Sequence, residues 1–307
     1  TIYDVASLTK VLSTTPVIMK LIEKKMLSLD YPLSQFYPEY KEANKQDITL
    51  RHLLTHSSGL KPYVEYYKIE NINRKKIIND IVSKNLEYLP DSNWKYSDLG
   101  MILAMDIIEK ITGSTLDKLS KKYFYKPLGM INTFFNPSKN NNYIIAPTEN
   151  DDYFRHKLIA GEVHDENAYI LGGVSGHAGL FSTASDIGVF SKMFIDNGYY
   201  LGNRILYKNT INKFTKRYNI LVESDRALGW DTPSDYNSSA GDYFSKGSYG
   251  HLGFTGTSLW IDPNDKIIIV LLTNRVYPTR NKEDITKKMY KLRRSFHNEV
   301  LKQISGV

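Results

Sequence analysis

Ser7 and Lys10 stand three residues apart in Ala6-Ser-Leu-Thr-Lys10, an S-x-x-K pair close to the start of the chain. On a helix this spacing makes the two side chains neighbours, with Cβ atoms ~5–6 Å apart, so hydroxyl and amine can share a hydrogen bond. In surroundings dry enough to lower the amine's pKa, neutral lysine takes the serine's proton. Ser7 also sits where a helix begins, so backbone N–H groups and the positive end of the helix dipole face a developing oxyanion. A second group is Tyr96-Ser97-Asp98, after Trp94-Lys95. A tyrosine at a helix start can point its hydroxyl into a cleft, and beside a lysine ammonium its phenolate is favoured, which makes it a candidate proton carrier. The third group is His251-Leu252-Gly253 in a stretch that reads as a strand. There the glycine admits close backbone approach, and strand N–H groups can bind a carbonyl oxygen. His177 and His164 offer a rival chemistry, the Ser–His–acid triad. His52 and His56, four apart, could hold a metal on one helix face. No acidic third ligand follows at a motif spacing, so packing and capping are the preferred roles of these two.

The elements that must position these residues follow from periodicity and punctuation. Val11, Leu12, Pro16, Ile18, Met19 and Ile22 suit a largely buried helix running on from Ser7. Thr49 reads as the N-cap of a short helix from Leu50 to His56, ended by Ser57-Ser58-Gly59. Helices are expected over Asn71–Asn85, over Ser97–Ile111 with Gly113 as C-terminal cap, and over Leu116–Tyr125 with Ser114 as N-cap. Ile131 to about Gly161 shows little periodicity and reads as a long irregular cover. Gly161–Ala168 and Leu171–Leu180 form a glycine-rich connection, which implies backbone close to another backbone or to a ligand. Ser182-Thr183 caps a helix from Ser185 to about Ile195. Strands are expected at Ala227–Trp230, Gly250–Phe254, Thr257–Ile261 and Lys266–Thr273, the last two joined by a turn at Asp262-Pro-Asn-Asp265, and a basic amphipathic helix over Glu283–Ile304 closes the chain. The order is that of an α+β fold with an inserted helical part. Residues 1–27 and 221–307 are assigned to a discontinuous α/β sheet domain and 28–220 to a mainly helical one.

Composition narrows the options. The chain has 307 residues, 41% of them hydrophobic, enough for a sizeable core. It contains no cysteine, which excludes disulfides, thiolate metal sites and a cysteine nucleophile. The net charge of +7 is a mild excess spread along the chain, read as a solvated Lys/Asn-rich surface. The longest purely apolar run, Ile267 to Leu272, is too short to span a bilayer. There is no glycine-rich phosphate loop, no zinc spacing and no internal repeat.

Taken together and in this order, the three groups resemble the penicillin-recognising serine hydrolases, specifically the class C β-lactamase-like branch. That branch carries S-x-x-K, Y-x-N and K-T-G or H-x-G, and includes β-lactamases, D-Ala-D-Ala carboxypeptidases and esterases. His52-Leu-Leu-Thr-His-Ser-Ser-Gly-Leu60, Tyr96-Ser-Asp-Leu-Gly100, Pro127-Leu-Gly-Met130, Gly179-Leu-Phe-Ser-Thr183 and Gly250-His-Leu-Gly-Phe-Thr-Gly256 extend the resemblance over nearly the whole chain. It implies a β-lactamase/transpeptidase-like fold, an antiparallel sheet flanked by helices. It also implies a hydrolase that works through an acyl-enzyme on a β-lactam, a D-Ala-type peptide amide or a small ester. In it Ser7 is the nucleophile, Lys10 its proton partner and Tyr96 the relay to the leaving group. The N–H groups of Ser7 and Phe254 form the oxyanion hole, and His164 and His177 are structural. No metal or organic cofactor is required. The partner is a small-molecule or cell-wall peptide substrate, with no nucleic acid and no membrane span, and a place outside the cytoplasm is favoured.

Four departures qualify the resemblance. Asp98 stands where many relatives have Asn, keeping an acceptor and losing an amide donor for the substrate. His251 replaces Lys, and Leu252 replaces the usual Thr, removing a hydroxyl expected to bind a substrate carboxylate. A charged hydrogen bond of that kind is worth ~1.5–3 kcal/mol, so weaker β-lactam turnover is expected. Asn274 and Arg280 are similar to the carboxylate-recognition segment that follows the last strand. Finally, relatives carry a helix and strands before S-x-x-K, whereas six residues precede Ser7 here. The sheet is therefore expected to lack those N-terminal strands and to offer an edge to an upstream segment or partner chain. The alternative function is a non-catalytic or slowly turning over relative that holds penicillin or cell-wall peptide.

Overall fold

The structure, a computed structural model, describes residues 1–41, 44–137, 143–218 and 224–305. The chain enters as a short strand β1 (Tyr3–Asp4) and turns at Ala6, which adopts a positive φ of 48°. A 3₁₀ turn over Ala6–Leu8, a π turn over Lys10–Thr14 and helix α1 (Thr15–Glu23) then follow in close succession. Pro16 explains part of this irregular start. It has no N–H for the carbonyl of Leu12, and the Tyr125 hydroxyl donates to that oxygen at 3.1 Å. Val11, Leu12, Val17, Ile18, Met19 and Leu21 are buried, so the run forms a spine of the core.

Helices pack around that spine. Helix α2 (Leu50–Leu54) begins in a capping box in which the N–H of Thr49 donates to Nδ1 of His52 at 2.9 Å, the capping role expected for this histidine. Helices α3 (Arg74–Ser83) and α4 (Asp98–Thr112) follow; α4 is buried from Leu99 to Ile108 and ends on Gly113 in the left-handed conformation. Helix α5 (Leu116–Ser120) continues as a π turn through Tyr125. The stretch expected to be irregular instead carries β2 (Phe134–Phe135), β3 (Glu149–Asp151) and β4 (Lys157–Ile159), although positions 138–142 within it lie outside the described residues. Helix α6 (Glu166–Ile170), unforeseen in sequence, precedes β5 (Leu180–Ser182), which pairs antiparallel with both β1 and β2. Helix α7 (Ala184–Ile195) is capped by Thr183, and a small hairpin of β6 (Tyr199–Tyr200) and β7 (Asn203–Arg204) leads to α8 (Lys208–Thr215), also unforeseen.

The main sheet is antiparallel, with order β10-β9-β8: β8 (Tyr249–Leu252), β9 (Ser258–Asp262) and β10 (Ile267–Leu271). Every residue of β9 is buried. Leu259 and Ile261 join the large core, while Trp260 joins a second cluster with Phe244, Ile269 and Leu301. Both faces of the sheet are thus covered, α7 lying against β9 and β10. Helix α9 (Ile285–Ser305) lays a buried stripe of Met289, Arg293, His297 and Leu301 at four-residue spacing, Leu301 entering that second cluster. Among the described residues no strand bonds to the outer edge of β10.

Two strand expectations need correction. Ala227–Trp230 forms no strand; Gly229, at φ +81°, turns the chain back so that Arg226 bridges Asp231 and Asp231 bridges Gly250. A Cβ on Gly229 would lie 2.2 Å from Oγ1 of Thr15, so the backbone here packs directly on α1. The third-motif strand ends at Leu252, and Phe254 lies in the turn that follows. Among the described residues no helix is long and apolar enough to cross a membrane.

Candidate active site

Lys10 is the centre of the site, with no part of its side chain exposed. Its Nζ lies 3.0 Å from Ser7 Oγ, 3.0 Å from the carbonyl oxygen of His177 and 2.8 Å from Oδ1 of Asp98. An ammonium has three protons, and three acceptors surround it. Burial pulls the amine's pKa down, but Asp98 and then Tyr96 outweigh that, and the net shift is upward. The sequence led to a neutral lysine ready to take the serine's proton. The structure has a charged lysine that donates to the serine instead, because the residue expected to be an amide is a carboxylate in contact with it.

Tyr96 lies against this ammonium, its ring centroid 4.7 Å from Nζ, and its hydroxyl is buried without a well-formed hydrogen bond. Burial first raises its pKa, Lys10 opposes, Asp98 raises it again, and the phenol is the resting form rather than the phenolate expected. Its position is set by the start of α4. Ser97 accepts from the N–H of Gly100 at 3.2 Å, donates from its hydroxyl to the Lys61 carbonyl at 2.7 Å, and donates from its backbone N–H to Nδ1 of His56 at 3.1 Å. His56, weighed in the sequence as a metal ligand and preferred as a packing or capping residue, anchors the second motif, and its ring is 4.7 Å from that of Tyr96. Burial, then Arg226 and Lys10, hold His56 well below its usual range, so it is neutral.

The third motif is tied to the nucleophile's segment. Thr255 and Thr257 donate from their hydroxyls to the carbonyls of Asp4 and Val5, at 2.9 and 3.1 Å. A Cβ on Gly253 would lie 2.7 Å from the Val5 oxygen and 2.0 Å from Oγ1 of Thr257, so only glycine lets the two segments meet. The N–H of Ala6 donates at 2.8 Å to the buried carboxylate of Asp4, which helps hold the turn before Ser7. His251 is buried, 2% exposed, with its ring 5.9 Å from Tyr96 and Nδ1 2.8 Å from the Leu252 carbonyl. Burial is the main reason that its pKa is pushed down to about 4.

Ser7, Tyr96, Asp98, His251, Leu252, Gly253 and Phe254 all line one cleft of ≈ 600 Å³. Phe254 is 48% exposed, and its phenyl ring stacks on His164. Asn274 lies outside the cleft lining and donates from its amide to the Pro147 carbonyl. Arg280 does reach the cleft, but its guanidinium is engaged by Glu149 at 2.7 Å and Glu166 at 2.6 Å. Burial pushes Glu149 up, and hydrogen bonds from His164 and Arg280 outweigh it and hold it at about 2. Two cleft arginines that the sequence did not single out, Arg275 and Arg293, have no carboxylate partner among the described residues. Arg275 donates to the Phe254 carbonyl at 2.5 Å, and Arg293 to the carbonyls of Gly253 and Thr257 at 2.6 and 2.8 Å. Burial, then Arg275, lowers Arg293 to about 10. No local motif marks either residue; only the folding of α9 and the segment after β10 over the third motif brings them there.

The rival bases have partners of their own, although His164 lines the cleft. His164 bonds Glu149 at 2.7 Å. His177 stands between Ser175, 2.8 Å from its Nδ1, and Asp165, 2.9 Å from its Nε2. That is a triad in outline, but Ser175 is wholly buried and does not line the cleft. Asp98, Asp165 and His177 offer ligand atoms within 4.8 Å of one another, yet Asp98 is paired with Lys10 and Asp165 with the His177 ring, so the cation at this spot is the lysine.

Comparison with known proteins shows the family of the chain. The Beta-lactamase family model matches residues 1–291. An Escherichia coli K12 protein named D-alanyl-D-alanine carboxypeptidase is 32% identical over 302 residues, covering 90% of this chain and 69% of that one. An N-acetylmuramyl-L-alanine amidase of Bacillus subtilis is also 32% identical, covering 90% of this chain and 68% of its own. Among solved structures, the octameric penicillin-binding protein homologue of Pyrococcus abyssi superposes with a TM-score of 0.68 at 25% identity, covering 95% of this chain and 65% of that one. Simvastatin synthase of Aspergillus terreus does so with 0.71 at 18% identity, over 99% and 84% of the two chains. With the match running through all three motifs, this chain belongs to the β-lactamase family of hydrolases.

Proposed function

We propose that Ser7 is acylated by a D-alanyl-type peptide amide bearing a free carboxylate, and that water then releases the acyl group. The observation that carries this reading is the 3.0 Å contact between Lys10 Nζ and Ser7 Oγ in a cleft that also holds Tyr96. Attack by Ser7 Oγ on the carbonyl carbon requires a proton acceptor. The competent form is the one in which Lys10 has lost a proton, so that its amine takes the serine's proton and Tyr96 passes one to the departing nitrogen. The C–N bond breaks, the amine leaves protonated, and the acyl-serine ester is hydrolysed by water activated through the same pair. The backbone N–H groups of Ser7 and Phe254 are assigned to the developing oxyanion. The guanidinium of Arg275, which lines the cleft with no carboxylate partner among the described residues, suits a substrate carboxylate, a role that the engaged Arg280 fills less well. The name of the Escherichia coli relative supports a peptide of this type.

The test is intact-protein mass and product release with an N-acyl-D-Ala-D-Ala dipeptide, a fluorescent penicillin and a nitrophenyl ester. A transient adduct on Ser7 with turnover of the dipeptide is expected. Lys10→Ala and Tyr96→Phe should each slow it by roughly 10²–10⁴-fold. Turnover at the wild-type rate in Ser7→Ala would reject the reading. The charged state of Lys10 favours a second reading, a protein that acylates and then turns over slowly; a penicillin adduct stable for hours would select it.

A further inference from the structure

The third motif of this chain brings no charge to Tyr96. His251 is buried and, with its proton on the nitrogen that faces the Leu252 carbonyl, leaves Nε2 without a partner. The charge on Lys10 is already answered by Asp98 at 2.8 Å. A proton carrier that must pass through an anionic form needs another cation beside it.

Arg226 is placed for this. It belongs to none of the three motifs. The bridges Arg226–Asp231 and Asp231–Gly250 fasten it beside β8, one residue before His251 in register, with Asp231 N–H donating to the Gly250 carbonyl at 2.8 Å and Gly250 N–H returning the bond at 2.9 Å. Its guanidinium carbon lies 5.4 Å from the Tyr96 ring centroid and 5.0 Å from that of Trp94, its side chain is 15% exposed, and it lines the cleft. Asp231 pairs with one terminal nitrogen, and Nε is buried with no hydrogen-bond partner. The titratable or charged groups around Tyr96 are Lys10 from the Ser7 helix, Asp98 from α4, His56 after α2, His251 on β8, and Arg226 with its partner Asp231. The two histidines are neutral, so among the described residues Arg226, held at one end by Asp231, is the cation besides Lys10 that lies over the Tyr96 ring.

We propose that Arg226 is a positioning residue that supplies to Tyr96 the positive charge absent from His251, stabilising the tyrosine as it gives up its proton. This rests on Ser7 being the acylated nucleophile and Tyr96 its relay. The test is steady-state kinetics at pH 8 with the ester, on Arg226→Gln, Arg226→Lys, His251→Lys and Arg226→Gln/His251→Lys, each with a thermal melt. Arg226→Gln should lower kcat by about 10²-fold with KM within about threefold, as for loss of one preorganised charge. Arg226→Lys should retain most of the rate. In the Arg226→Gln background His251→Lys should recover at least about tenfold, whereas His251→Lys alone, facing Arg226, should give no gain. A loss carried by KM alone would overturn the proposal, as would a loss that Lys at 251 does not relieve in a variant that melts normally. If Arg226→Gln does not fold, a kcat raised about tenfold above wild type by His251→Lys alone overturns it. Persistent turnover in Ser7→Ala, run beside these, would instead strike the acyl-enzyme reading itself.

Discussion

Asp98→Asn is the most informative single change, because it removes one charge at nearly constant volume and leaves an oxygen that still accepts from Lys10. In the native site the two charges are 2.8 Å apart, with the lysine side chain fully buried and the aspartate 19% exposed. At an effective dielectric near 20 their attraction is roughly 6 kcal/mol before desolvation offsets it. Losing the aspartate alone would leave an uncompensated buried cation at a cost of ~3–5 kcal/mol, and the cheapest relief is for Lys10 to release a proton. The neutral amine that can accept from Ser7 then becomes available at lower pH. In the pH profile of kcat/KM the limb that rises with pH should therefore move down. Because each unit of displacement is a factor of ten below the limb, ester hydrolysis at pH 7 should rise by about tenfold or more. The stability sign is the opposite. A lysine whose folded pKa is raised above 10.5 contributes stability that is present below 10.5 and lost as pH climbs through the raised value. Asp98→Asn should thus melt lower than wild type at neutral pH, with the gap closing above 10.5. Rate profiles from pH 5 to about 10, and melts carried on to about pH 12, measure both. If the variant is slower at every pH and its limb has not moved, Asp98 takes the proton in the reaction, and the argument that it restrains Lys10 is wrong.

Other perturbations bear on neighbouring parts of the site. Leu252 lines the cleft where a hydroxyl is expected in the family, so Leu252→Thr should speed acylation by penicillin more than ester hydrolysis; an equal effect on both would mean that the side chain does not meet the substrate carboxylate. Gly253→Ala places a Cβ 2.7 Å from the Val5 oxygen, and should cost roughly 1–3 kcal/mol and most of the activity, as seen in melts and ester turnover; a variant that melts and turns over normally would show that the two segments need not touch. His251 and His297 are held neutral down to about 4, chiefly by burial. Their contribution is complete above 6.5 and is lost as pH falls towards 4, at most roughly 3 kcal/mol each, so denaturant midpoints should fall over that window and less so in His297→Gln.

Local chemistry made much of the chain legible before any tertiary contact was known. The S-x-x-K spacing already implied that Ser7 and Lys10 touch, since three residues on a helix are neighbours whatever surrounds them. Thr49, Thr183 and Gly113 marked helix ends because caps are satisfied within one turn. The apolar runs of β9 and β10 announced strands, and the order of three motifs pointed to the family. What the sequence did not contain was the protonation state of the site. Whether Lys10 is an amine or an ammonium depends on Asp98, 88 positions away in the chain and 2.8 Å away in space, and on how much water their burial excludes. Arg226, Arg275 and Arg293 went unnoticed for the same reason, each being an unremarkable basic residue until the fold sets it beside Tyr96 or the third motif. Arg280 shows the converse. Its place after the last strand suggested a free guanidinium, and Glu149 and Glu166, from β3 and α6, occupy it. Contacts within a turn are set by covalent spacing; charge states and free valences are set by neighbours that only tertiary packing brings together.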